Sequence, residues 1–344
     1  MDLRLSDEQG QLVDAFAGLF GKESTAERVR AAEPLGFDER LWAQLLEMGA
    51  LSMAVDEEHG GWGATVLDLA LVAEEHGRAL GSAPLLEAQV ACRLLARSGG
   101  GGAADLLDAA LAGDRLVALS PRPARSGVAH LVPAGAVATD VLVRHGDRLV
   151  AVPTGSDRVV PENVGSLPLA DVPVPEDVVA AAPVVVDAGA GVAVDAALDD
   201  WLVLTAAALA GMAERAVEIG VAYAGEREAF GQKIGGFQAV GHRLADIATA
   251  SAGATLLARE AAWAVAEDPG RSAQLAAMAF AFAAETARNA TDVALHVHGG
   301  YGFMLEYDIQ LYYRRSRAWA NVLMSPSAAA RRVADRRYGT GEVS

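Results

Sequence analysis

Arg227-Glu228-Ala229-Phe230-Gly231-Gln232-Lys233-Ile234-Gly235-Gly236-Phe237-Gln238 interrupts a long helical pattern, and its flanks decide the fold. Upstream, Leu202, Leu209, Ala213, Ala216 and Val217 recur at helical spacing. Downstream of the turn at Gly235-Gly236, Phe237, Val240, Leu244 and Ile247 do the same. Asp199 or Asp200 is placed to cap the upstream helix. Further on, the alanine-rich stretch 272–290 suits helices whose backbones approach closely, as in an antiparallel bundle. Residues 195–344 are therefore expected to form a C-terminal four-helix bundle.

Moving toward the N-terminus, the texture changes to valine, proline and glycine in short alternating segments, so 113–194 is expected to be a small middle β domain. Its clearest element is a hairpin, Val141 to His145 and Arg148 to Val152, joined by Gly146-Asp147, where glycine supplies the positive φ of a tight turn. Residues 1–112 return to helical periodicity. Ser6 and Gln9 can form a capping box, Leu12, Phe16, Leu19 and Phe20 recur on one face, and Phe37, Leu41, Leu45 and Met48 recur on another. Gly60-Gly61-Trp62-Gly63 breaks the run, Thr65 can cap the next helix, and Gly99 to Gly102 separates two more. The expected fold class is α+β, mostly α.

A net charge of −17 over 344 residues argues against polyanionic partners, both nucleic acid and anionic membrane surfaces. An anionic cofactor would need locally placed arginines, and Lys22 and Lys233 are the only lysines among 28 basic side chains. The single cysteine, Cys92, excludes an internal disulfide and a cysteine zinc site, and fits a reducing cytoplasm. The start reads as an amphipathic, acidic helix rather than a secretory signal, and the apolar runs are too short or too interrupted to cross a bilayer.

The quoted stretch resembles the acyl-CoA dehydrogenase family, whose signature between two C-terminal helices is Arg, two residues, Phe-Gly, a short loop, then Phe-Gln. The Glu-Glu-His-Gly elements between Phe37 and Leu80 are similar to its N-terminal helical domain, and His298-Gly299-Gly300-Tyr301-Gly302-Phe303 to its late glycine turn. The resemblance implies FAD held between the β domain and the C-terminal helices, with Arg227 reaching the pyrophosphate of a flavin held mainly by a neighbouring subunit. A guanidinium suits that task because its planar fork bonds two phosphate oxygens at once. Phe230, Gln238, His296 and the backbone at Gly299 and Gly300 are expected near the same cofactor. Ser120, in the nearest match to the family's Thr-Glu-Pro-Gly segment, is expected to offer its hydroxyl to the flavin. Taken singly, Arg227 reads as a helix-end charge, the glycines as a helix stop, the two phenylalanines as core and Ser120 as part of a plain turn. Their joint order supports the cofactor reading. His296 and His298 have no acidic or cysteine partner at metal-binding spacing, so no metal is expected.

The implied reaction is α,β-desaturation of an acyl-CoA thioester, in which a glutamate removes the α proton and the β hydrogen leaves as hydride. The two positions the family uses for that glutamate fall on Leu323 and Trp201. Asp200, one residue from the second, is a candidate base, with the helix cap as its competing reading. Glu214 and Glu306 read as scaffold charges.

Three functions follow. The chain is an FAD-dependent dehydrogenase working as a subunit of a heteromeric enzyme, similar to the short subunits of actinobacterial steroid-degrading enzymes. Alternatively it is a non-catalytic structural partner, or the fold reused for non-redox biosynthetic chemistry. The implied partners are an acyl thioester, a homodimer mate or a glutamate-bearing homologue in a heterotetramer, and an electron-accepting flavoprotein.

Overall fold

Ser6 opens the first helix, α1 (Asp7–Glu23), with a reciprocal capping box. Its hydroxyl accepts from the Gln9 N–H at 3.1 Å, and the Gln9 side chain accepts from the Ser6 N–H at 3.1 Å. The computed structural model that places it describes residues 4–98 and 101–339. Helices α2 (Ala26–Ala32), α3 (Glu39–Glu47), α4 (Val66–Arg78), α5 (Leu85–Ser98) and α6 (Gly101–Leu111) follow. Thr65 caps α4 reciprocally with Asp68. Of the expected break at Gly99 to Gly102, Gly101 and Gly102 lie within α6, and Gly99 and Gly100 lie outside the described residues.

Strands β1 (Val117–Leu119), β2 (Val128–Val132), β3 (Asp140–His145), β4 (Arg148–Pro153), β5 (Ala170–Pro173) and β6 (Val184–Val186) come next, with the short helix α7 (Glu176–Ala181) before β6. The chain then runs through α8 (Ala190–Glu226), a small ribbon of β7 (Glu228–Ala229) and β8 (Gln232–Lys233), and α9 (Gln238–Glu267), α10 (Pro269–His298), α11 (Ile309–Val322) and α12 (Pro326–Tyr338). Among the described residues no helix is long and apolar enough to cross a membrane.

The chain divides into two compact units. One comprises residues 27–69 and 82–201 and contains the sheets. Its four-stranded sheet has the order β1-β3-β4-β6, with β1 parallel to β3 and the other pairs antiparallel. The hairpin pairs His145 with Arg148, and Gly146 takes φ +62° at the first turn position. Val141, Val143, Val150 and Val152 pack with Val132, Val172 and Val174 in an apolar core.

The other unit comprises the described parts of 1–26, 70–81 and 202–344, and holds the helical bundle. Here α4 and α8 meet backbone to backbone. A Cβ at Gly77 would lie 1.8 Å from the Ala208 carbonyl oxygen, and one at Gly211 would lie 2.0 Å from that of Glu74. Beside this crossing Glu74 accepts two bonds from Arg259, at 2.9 and 3.2 Å. Burial raises the Glu74 pKa, and the Arg259 charge opposes that shift.

One expectation is overturned. Asp199 and Asp200 do not cap α8, which begins at Ala190. The reason is a contact distant in sequence. The Asp147 carboxylate accepts from the Gly189 N–H and its carbonyl from the Ala190 N–H, each at 3.0 Å, so the hairpin turn supplies the acceptors a local cap would have provided.

Candidate functional site

In the helical unit, Tyr223 lies in the last turn of α8 and Arg227 directly follows the helix, its N–H donating to the Tyr223 carbonyl at 2.9 Å, and the chain then doubles back. The Ile234 N–H donates to the Arg227 carbonyl at 2.9 Å, while Lys233 Nζ donates to the Glu226 carbonyl at 3.0 Å and pairs with Glu228 at 2.8 Å. That pairing lowers the Glu228 pKa. Between the ribbon strands sit Phe230 and Gly231, with φ of +52° and +79°. Two successive left-handed residues make the tight turn the ribbon requires, and at the first of them the conformation is strained. Phe230 is 97% exposed, touching Phe237 edge to face at 6.3 Å.

The end of α10 comes to the same corner. His298 is buried, its Nδ1 donates to the Ala294 carbonyl at 2.7 Å, and its ring stacks on Tyr223 with centroids 4.0 Å apart. Burial lowers its pKa, so it is neutral at physiological pH. Gly299 takes φ +61°, and added Cβ atoms at Gly299 and Gly300 would meet nothing within 4 Å. The next residue, Tyr301, lies with its ring centroid 6.0 Å from the Arg227 guanidinium carbon.

The Arg227 guanidinium therefore approaches the aromatic ring that follows the two glycines, although Arg227 and Gly299 are 72 positions apart in the chain. Arg227 is exposed and makes no ion pair among the described residues. An exposed, unpaired guanidinium near the aromatic ring that follows two bare glycines fits a pyrophosphate. Gln238 opens α9 at the far end of the turn and is exposed, as is His296 on the last turn of α10. Tyr223, Tyr301 and Tyr307 complete the aromatic wall around His298 and were not singled out from sequence. For Tyr223 the available signal was its position four residues before Arg227, one helical turn upstream.

The remaining candidates lie in the sheet-bearing unit. Ser120 follows β1 and is 2% exposed, and its hydroxyl donates to the Arg122 carbonyl at 2.7 Å, within its own loop. The Asp200 Oδ2 accepts from Arg93 Nε at 3.0 Å and forms an ion pair with Arg97 Nη1 at 2.9 Å. Arg93 also reaches the Ala54 carbonyl at 3.2 Å, which ties α5 and α8 to the segment before the glycine break. Trp201 is 1% exposed, and in the helical unit Leu323 is 5% exposed. No group of three or more metal-ligating side chains occurs among the described residues.

Comparison with known proteins places these features. The model of the acyl-CoA dehydrogenase N-terminal domain matches residues 6–101, and that of the C-terminal domain matches residues 187–320. The chain belongs to the acyl-CoA dehydrogenase family. Members of the acyl-CoA dehydrogenase family are oxidoreductases acting on CH–CH bonds, and their cofactor is FAD. Among curated relatives, the acyl-CoA dehydrogenase IpdE2 of Mycolicibacterium smegmatis is 32% identical over 335 residues, covering 96% of this chain and 98% of that protein. Among solved structures, a chain of the ChsE4-ChsE5 complex from Mycobacterium tuberculosis superposes with a TM-score of 0.86 at 27% identity, covering 99% of this chain and all of its own. A chain of the Tcur3481-Tcur3483 steroid enzyme follows with a TM-score of 0.85 at 26% identity, covering 96% and 98%.

Proposed function

We propose that this chain is one subunit of a heteromeric, cytoplasmic, FAD-dependent acyl-CoA dehydrogenase whose base comes from a homologous, glutamate-bearing subunit. The observation that carries this reading is chemical. Trp201 and Leu323, the two positions to which the resemblance assigns the base, are buried apolar side chains, and neither can take a proton. The neighbouring carboxylate, Asp200, has one oxygen engaged by two guanidiniums. The similarity to chains from the ChsE4-ChsE5 and Tcur3481-Tcur3483 complexes supports a two-chain assembly.

In this reading Arg227 holds the pyrophosphate of FAD, and the bare backbone at Gly299 and Gly300 lets the phosphates approach closely. Tyr301 limits where the guanidinium can swing, and Phe230 covers the flavin from the tip of its turn. His298, neutral and stacked on Tyr223, fixes the end of α10 so that the glycine turn keeps its place. When bound, FAD supplies the hydride acceptor, and the reduced enzyme passes its electrons to an acceptor flavoprotein.

The test is purification of the chain alone and together with the product of its neighbouring homologous gene, recording flavin absorbance and acyl-CoA-driven reduction of an artificial acceptor. The pair is expected to hold flavin and turn over, and the isolated chain to be inactive. Robust turnover by the isolated chain would reject the partnership.

A further inference from the structure

Helix α12 differs from the rest of the molecule in both charge and burial. In a chain of net charge −17, its 13 residues carry four arginines against one aspartate. Of these residues only Ala329 is buried, so the helix turns almost no apolar face inward. Arg332 and Arg336 are engaged within the chain. Arg331 and Arg337 are exposed and make no ion pair among the described residues. Tyr338, 80% exposed, ends the helix with its ring centroid 5.7 Å from the Arg337 guanidinium carbon. Arginine and tyrosine are among the side chains that carry most of the binding energy where proteins meet.

A complementary surface lies at the other end of the chain. Helix α1 has four carboxylates against one lysine. Glu23 is buried and pairs with Lys22 at 3.7 Å, which leaves Asp7, Glu8 and Asp14 exposed, and none of these three makes an ion pair among the described residues. Asp7, Gln11, Asp14, Gly18 and Gly21 recur every three or four residues as one exposed stripe, and Cβ atoms added at the two glycines would meet nothing within 4 Å. The stripe is therefore open, and along its second half no side chain holds a neighbouring helix away. The net charge of α1, −3, is equal and opposite to the +3 of α12. At roughly 1.5 Å per residue the two helices are about 25 and 20 Å long, so one can lie along the other.

We infer that α12 of one copy of this chain docks on the exposed stripe of α1 in a second copy, through Arg331, Arg337 and Tyr338. Every copy carries both helices, so the contact is reciprocal and closes a two-fold dimer. Opposite charge selects and orients the pair, and Tyr338 supplies its apolar contact. This contact is independent of the dehydrogenase reading, since neither helix contributes to the corner around Arg227.

The test is a charge swap on the full-length chain, with self-association read by sedimentation velocity over a dilution series. The natural protein is expected to self-associate, about tenfold more weakly when salt is raised from about 0.05 to 0.5 M. Arg331→Glu combined with Arg337→Glu is expected to weaken association about tenfold or more. Gln11→Arg combined with Asp14→Arg is expected to do the same, and it leaves the first-turn acids of α1 in place. All four changes together restore opposite signs across the contact and are expected to recover the natural affinity to within about threefold. Circular dichroism checks that each variant folds, and the milder Arg331→Gln with Arg337→Gln decides if a reversal does not. A monomer at every concentration, or association that all folded variants leave unchanged, overturns the inference. So does a loss in the α12 reversal that the fourfold variant fails to repair, which would place α12 against an acidic surface of a different protein.

Discussion

Two guanidiniums on one carboxylate oxygen set what Asp200 can do. Asp200→Asn is expected to leave the turnover of the assembled enzyme within a factor of about three, because the side chain takes no part in proton transfer. It should nonetheless cost about 2 to 3 kcal/mol of stability in chemical denaturation, less than the ~3–5 kcal/mol of a fully buried pair because the Arg97 side chain is 46% exposed. Loss of turnover with unchanged stability would restore Asp200 as the base. Neither role proposed for this residue from sequence anticipated the clamp, since Arg93 and Arg97 lie more than a hundred positions away and no local pattern marks them. Arg227 was more legible. Its motif fixed its place at the end of a helix, and only its approach to Tyr301 needed the folded chain.

Among the elements, those stabilised by neighbours in sequence could be read directly. The Ser6 and Thr65 boxes and the Gly146 turn each depend on residues a few positions apart. The start of α8 could not be read, because the groups that accept its first N–H bonds belong to a hairpin turn some forty residues earlier. The α4–α8 crossing was equally hidden, since nothing local distinguishes Gly77 or Gly211 from any other helical glycine. That crossing gives a sharp contrast between glycines. Gly77→Ala forces a methyl into the Ala208 carbonyl and is expected to cost roughly 3 kcal/mol, lowering the melting temperature. Gly18→Ala, in α1 with nothing within 4 Å, is expected to be neutral or to stabilise by up to about 1 kcal/mol. Equal effects of the two substitutions would show that the helices do not touch there.

At the scale of the whole molecule, buried Glu74 and half-buried Glu75 and Glu87 make stability depend on pH in an unusual direction. Burial pushes Glu87 up to about 7, and burial also raises Glu74 and Glu75. Between the ordinary value of 4.5 and about 7 the unfolded chain ionises Glu87 while the folded chain keeps its proton, so folding grows less favourable as pH rises through that window. The loss from Glu87 alone is about 3 kcal/mol, complete above pH 7 and absent below 4.5. Asp56, Asp171 and Glu218 shift downward and act the other way, removing stability only as pH falls below their ordinary range. The melting temperature should therefore peak on the acid side of neutrality. Glu87→Gln should raise it at pH 7.5 and leave it unchanged near pH 4.5; a variant that melts like the natural protein at both would remove Glu87 from the account.

On the heteromeric reading proposed above, the strained turn that carries Phe230 bears on assembly. Because β7, β8 and the Lys233 contacts hold that turn within the chain itself, the ring is already aimed outward before any companion polypeptide arrives, and little conformational freedom is left to surrender on encounter. The same readiness leaves a large aromatic side chain wet for as long as the chain stands alone, so synthesis beside its companion should favour a soluble product over self-association.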